Sequence, residues 1–200
     1  GGVVLTSTSS VLSIDSCRFE NNSAKNGGAL YLDSYENTNI YSSVFKNNNA
    51  SATGGAIYYD GNYLNMKKSC NITGIFINNR AGENGGALYL RDIVNYNLKG
   101  NFTNNSAKNG GAAYLDSVFV IPTFSVDGIF DSNDAAFGGA VYCFNPNGKF
   151  TGVYQNNRAS RDGGAIYTIR RLSRYGMPYK VIGEFYSNSA NGQGSATCAL

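Results

Sequence analysis

The stretch FENNSAKNGGALYLD at residues 19–33 returns as FTNNSAKNGGAAYLD at residues 102–116, with looser versions around it. A unit copied at near-constant spacing builds a structure that stacks on itself, and this excludes most folds at once. The aromatic of each copy is Phe19, Phe45, Phe76, Phe102, Phe130, Tyr154 or Phe185, in steps of 26, 31, 26, 28, 24 and 31 residues. Three residues later stands Asn22, Asn48, Asn79, Asn105, Asn133, Asn157 or Asn188. Five residues later stands Ala24, Ala50, Ala81, Ala107, Ala135, Ala159 or Ala190. Gly-Gly-Ala-x-Tyr then follows in six of the seven copies, and Gln193-Gly194-Ser195 replaces it in the seventh.

Within a copy the pattern is that of strands. Two residues before the aromatic the side chain is small: Cys17, Ser43, Gly74, Gly100, Gly128, Gly152, Gly183. Four before, it is large and apolar (Tyr41, Ile72, Leu98, Val126, Phe150, Val181), except for Asp15. Alternation of this kind describes a half-buried strand. A second strand follows the glycine pair, with Leu30, Ile57, Leu88, Ala113, Val141 and Ile166, then Leu32, Tyr59, Leu90, Leu115 and Cys143, as its core set. The opposite set places alanine at one step and Tyr31, Tyr58, Tyr89, Tyr114, Tyr142 and Tyr167 at the next, which predicts an exposed tyrosine strip beside alanines. The linking N-N-x-A-x-N-G-G is turn chemistry, since asparagine and glycine tolerate positive φ. Short strands, no helical period and identical offsets predict an all-β parallel β-helix of about seven coils, ~4.8 Å apart. Like residues then form columns: an internal aromatic stack and an asparagine ladder. Propeller blades need longer units, and the leucine framework of leucine-rich repeats is absent.

One solenoid domain, residues 1–200, accounts for the chain. The chain begins and stops within a repeat, which reads as a fragment of a longer chain, against the alternative of a subunit that stacks end to end. Charged residues are 14% and the formal net charge is +3, too slight a bias to imply nucleic acid. No apolar run is long enough to span a bilayer. Histidine is absent, which removes Ser-His-Asp and Cys-His nucleophiles. The four cysteines form no Cys-x-x-Cys zinc pattern, and Cys143 and Cys198, at equal offsets but two coils apart, lie beyond disulfide reach. Cys17 falls in the small inward column. No cofactor is expected.

Three features are candidates for binding. Asp33, Asp60, Arg91 and Asp116 share one column in successive coils. Asp33 and Asp60 form a weak metal candidate, against the alternative of a solvated strand end neutralised by Arg91. The tyrosine column, above all Tyr58, Tyr89, Tyr114 and Tyr142, suits stacking against sugars or a partner, against the alternative that a flanking segment covers it or that the ladder only stiffens the rod. Coil length varies chiefly between the glycine strand and the next aromatic strand, with long versions at residues 60–69, 116–125 and 169–180. Insertions in solenoids often mark the binding face. The last carries Arg170, Arg171, Arg174 and Lys180 with Tyr175 and Tyr179, a mix suited to an acidic glycan, against the alternative of a solvated basic loop. Asn-x-Ser/Thr occurs at Asn21, Asn49, Asn71, Asn101 and Asn104.

Gly-Gly-Ala-[Ile/Leu/Val] paired with Phe-x-x-Asn resembles the repeat of chlamydial polymorphic outer-membrane proteins. It is also similar to repeats in adhesin-like surface proteins of methanogen archaea. The resemblance covers nearly the whole chain. It implies a right-handed β-helix displayed extracellularly at a cell surface, in which Phe19, Asn22, Gly27, Gly28 and their equivalents are structural. The expected function is a non-enzymatic adhesin-like segment whose partners are glycans or proteins of another cell. The alternatives are a stalk or end-to-end filament unit bound to its own copies and, further off, a polysaccharide lyase or hydrolase.

Overall fold

The computed structural model describes residues 3–6, 11–33, 37–61, 68–117, 122–170 and 178–199. These form no helix and build a parallel β-solenoid of about six turns. The first sheet stacks Val3–Thr6, Leu30–Asp33, Ile57–Asp60, Leu88–Arg91, Ala113–Asp116, Val141–Phe144, Ile166–Ile169 and Thr197–Ala199 in that order. The second stacks Val11–Asp15, Asn37–Lys46, Ser69–Ile77, Asn95–Thr103, Thr123–Asp131, Gly148–Gln155 and Lys180–Tyr186, with Arg18–Glu20 also pairing on Asn37–Lys46. The third face is built of short strands, Ser23–Asn26, Asn49–Thr53 and Arg80–Ala81, then Asp134–Ala135, Arg158–Ala159 and Ser189–Ala190. Bridges through Ser106 join its two parts. Every strand pairing is parallel, as successive turns of one winding require.

The repeated residues fall in columns. Phe19, Phe45, Phe76, Phe102, Phe130, Tyr154 and Phe185 stack at 4.7–5.0 Å with planes within 6°. From Phe45 to Tyr154 they are fully buried. Beside them the asparagines form one amide ladder. Asn105 Nδ2 donates to Asn133 Oδ1 and to the Phe76 carbonyl, both at 3.0 Å. Its Oδ1 accepts from Asn79 Nδ2 and from the Asn79 backbone N–H. The same set of bonds recurs along the column, so the polar atoms of each buried amide are satisfied.

The glycine pair has two separate causes. The first glycine takes positive φ, as at Gly110 (φ 63). The second meets the next turn: a Cβ on Gly111 would lie 2.1 Å from the Gly139 carbonyl oxygen.

Several details differ from the sequence expectation. A register shift between Ile40 and Ser43, with Ser16 and Ser42 at positive φ, adds a residue to each of the first two turns of the second sheet. Ile14 and Ile40, not Asp15 and Tyr41, therefore pair into the large apolar column, while Tyr41 is exposed. The departure at Asp15 thus comes from a bulge. Cys17 keeps the register of Ser43 but is exposed rather than inward. Cys198 pairs in register with Tyr167, so it does not share the column of Cys143. The alanines before each tyrosine lie in the main core. Both Ala29 N and Leu30 N donate to the Ala56 carbonyl, a corner that breaks the two-residue alternation and sends alanine and leucine to the same side.

Candidate functional site

The outer face of the first sheet carries the tyrosine column. Its rings are stacked, not open. Tyr31, Tyr58, Tyr89 and Tyr114 lie 4.9, 5.1 and 5.4 Å apart with planes within 7°. Tyr142 and Tyr167 continue the column at 4.7 and 4.9 Å with growing tilt. Each ring covers its neighbours' faces, so Tyr58, Tyr89 and Tyr114 are only 8–9% exposed although they sit on the outside. Phe144 closes the flank edge-on against Tyr114, and Phe137 packs against Tyr167. The expected exposed strip is thus a second, smaller apolar cluster. Sequence periodicity gives the direction of a side chain but not what its stacked copies cover.

The far end of this sheet gathers charge. Asp33, Asp60, Arg91 and Asp116 stand in successive register. Tyr89 Oη donates to Asp116 Oδ2 at 2.7 Å, and Tyr58 Oη donates to Asp60 Oδ2 at 3.3 Å. Arg91 reaches Asp60 at 3.5 Å and the buried Asp92 at 3.7 Å. Burial, then the neighbouring aspartates, push the hydroxyls of Tyr58 and Tyr89 well above the usual tyrosine value. At neutral pH they are hydrogen-bond donors, not nucleophiles. Burial likewise raises Asp116, against the lowering effect of the Tyr89 hydrogen bond. Arg91 is held above its ordinary value: burial works against its charge, and Asp60 outweighs it together with the other neighbouring acids and hydroxyls. Among the described residues no three His, Cys, Asp or Glu side chains converge to hold a metal. Asp33 and Asp60 remain a pair beside an arginine.

The long connections are described only at their ends. Arg170 is exposed, with its guanidinium 5.7 Å from the Tyr179 ring centre. Arg171, Arg174 and Tyr175 lie outside the described residues, as do residues 62–67 and 118–121 of the other two long connections. Cys70 and Cys143 are buried thiols whose ionisation burial opposes.

One surface escaped the sequence reading, on the outer face of the second sheet. A trough of about 570 Å³ runs across four turns there, over the outward residues at the start of each strand. Its signal was the column Asn97, Ser125, Lys149 and Lys180, visible only once the register of the second sheet is known.

With this geometry in hand, comparison with known families is specific. The family model of the Chlamydia polymorphic membrane protein repeat matches at residues 16–33, 42–60, 73–91 and 155–169. Four segments of the chain are thus similar to the polymorphic membrane protein repeat. Each match runs from the aromatic strand, or in the last case its end, through the asparagine and the glycine pair into the tyrosine strand. The intervening turns place Phe102, Asn105, Gly110 and Phe130, Asn133, Gly138 in the same columns. No curated protein and no solved structure matches the chain.

Proposed function

We propose that the chain is a non-enzymatic segment of an extracellular, cell-surface adhesin-like protein. Its solenoid holds distance and presents an outer face to glycans or to the surface of another cell. One observation carries this reading. The repeats spend their recurring side chains on the fold itself: the phenyl stack, the satisfied amide ladder and the glycine pair. Variation between turns is left to the outer faces and the long connections, which is how a scaffold carries recognition. The tyrosine–aspartate–arginine column supports a binding role over catalysis, because its acidic groups are tied up in hydrogen bonds and ion pairs and its hydroxyls resist ionisation.

Beads coated with the purified chain should adhere to host-cell or microbial monolayers, and soluble chain should compete. Coated beads that adhere no better than albumin-coated beads would remove the adhesin reading. A second reading is a plain stalk. The phenyl and amide ladders run without a break from Phe19 and Asn22 to Phe185 and Asn188, as a spacer requires. Failed adhesion together with rod-like, persistent particles by atomic force microscopy would favour it.

A further inference from the structure

We infer that the trough on the outer face of the second sheet is a binding site for an extended anionic polysaccharide, lying along the solenoid axis. This deepens the adhesin reading and rests on it. The trough is stepped, and its surface is mainly apolar, with a polar side chain at each step. Asn97, Ser125, Lys149 and Lys180 occupy one register position in four successive turns. Asn95 and Thr123 form the parallel wall two residues earlier. Tyr96, Phe124 and Gly148 line the trough between these two positions. At Gly148 a Cβ would sit 2.7 Å from Phe124 Cγ, so this level cannot carry the side chain that its neighbours do.

The two lysines are the decisive groups. They face outward in adjacent turns, about 4.8 Å apart along the axis. Among the described residues neither forms an ion pair. Asp127, the nearest acid on the adjoining strand, is engaged by Lys99 at 3.9 Å and by the Thr151 hydroxyl at 3.0 Å. The stretch 169–180 holds Arg170, Arg171, Arg174 and Lys180 and no acid, so nothing in it neutralises the pair. A row of amides and hydroxyls ending in two unpaired ammonium groups complements a chain that bears hydroxyls throughout and carboxylates or sulfates at intervals. The inter-turn step is also close to the advance of one pyranose along an extended polysaccharide, so successive sugars can meet successive turns.

The test is binding of the 200-residue chain to surfaces bearing heparin, polygalacturonate, neutral dextran or poly-dT, read by biolayer interferometry. Heparin or polygalacturonate should bind and dextran should not, and the preferred one identifies sulfate or carboxylate as the anion. The double variant Lys149→Gln/Lys180→Gln should weaken this binding roughly tenfold. The charge-matched control Lys25→Gln/Lys108→Gln should change it by less than about twofold. All four lysines are exposed, so an unchanged thermal melt will confirm folding. Equal losses in the two variants, or poly-dT bound as tightly as either glycan, would overturn the site in favour of bulk charge. Glycan silence with intact bead adhesion overturns the trough alone. Silence in both overturns the adhesin reading with it.

Discussion

Two aromatic columns run the length of this solenoid, one inside and one outside. The inner phenyl column keeps centres at 4.7–5.0 Å and planes within 6° over seven rings. The outer tyrosine column begins with the same geometry, but its planes open to 18° at Tyr142 and 38° at Tyr167. Stacking itself is therefore set by the spacing of paired strands, which both columns share. Constancy of tilt is set by packing on the flanks. The phenyl rings from Phe45 to Tyr154 are held on every side, whereas the tyrosines tilt at the end where Phe144 packs on Tyr142 and Phe137 on Tyr167. The inner column is also chemically silent apart from Tyr154, while the outer one ends in aspartates that bond its hydroxyls.

This contrast can be broken by substitution. The largest effect should come from Gly111→Ala, which would force a Cβ to 2.1 Å from the Gly139 carbonyl between two turns. We expect a loss of about 4 kcal/mol or more in urea unfolding, with cooperativity broken at that turn. A mild loss would mean that the turns can part without cost to the inner column. Next, Phe102→Ala should cost about 3–5 kcal/mol as a buried aromatic deletion. Tyr114→Ala on the outer column should cost only about 1–2 kcal/mol. Equal losses would show that the inside–outside distinction has no energetic content. Asn105→Ala should cost about 2–4 kcal/mol, because it strands the amide donors of Asn79 and the Phe76 carbonyl. Asn104→Gly, one residue away at φ 55, should be close to neutral by the same assay, since glycine suits that backbone. Tyr154→Phe should gain about 1 kcal/mol, since its buried hydroxyl has no hydrogen-bond partner among the described residues. A loss on this change would reveal a partner for that hydroxyl.

The smallest effect is in pH dependence, and it separates the columns by titration. Burial raises Asp116 above the ordinary carboxylate value, only partly offset by the Tyr89 hydrogen bond. With the folded value above the unfolded one, the folded chain binds the extra proton in that window. Stability therefore falls as pH rises from the ordinary aspartate range through the raised value. Asp116→Asn should remove that component of the stability–pH curve, followed by thermal melts between acidic and neutral pH. An unchanged curve would show that the end of the tyrosine column is uncoupled from folding.

How much of this was legible beforehand varies residue by residue. The Phe102 and Asn105 columns could be read directly, because a side chain repeated at one offset in stacked units has only its own copies beside it. The core positions Leu30, Tyr59 and Leu115 followed from alternation. Alternation failed where the backbone turns or bulges: at Ala29, where two N–H groups share one carbonyl, and at Tyr41, displaced by an extra residue. It also failed for the exposure of Tyr58 and Tyr89, since neighbours that cover a ring face come from other turns. The lysine pair in the trough was hidden for a related reason. Lys149 and Lys180 are separated by one of the long connections, so their adjacency depends on the register across it.

The sequence by itself determined the unit, its stacking and the two ladders, because periodic identity at fixed offsets leaves a chain no other economical way to bury aromatics and satisfy amides. The tertiary structure alone decided which outward residues are covered, which carboxylates are tied to tyrosine or arginine, and which cations from distant segments meet unpaired. Those are relations between turns, set by register and bulges of a single residue, and a shift of one residue changes every neighbour on a sheet face.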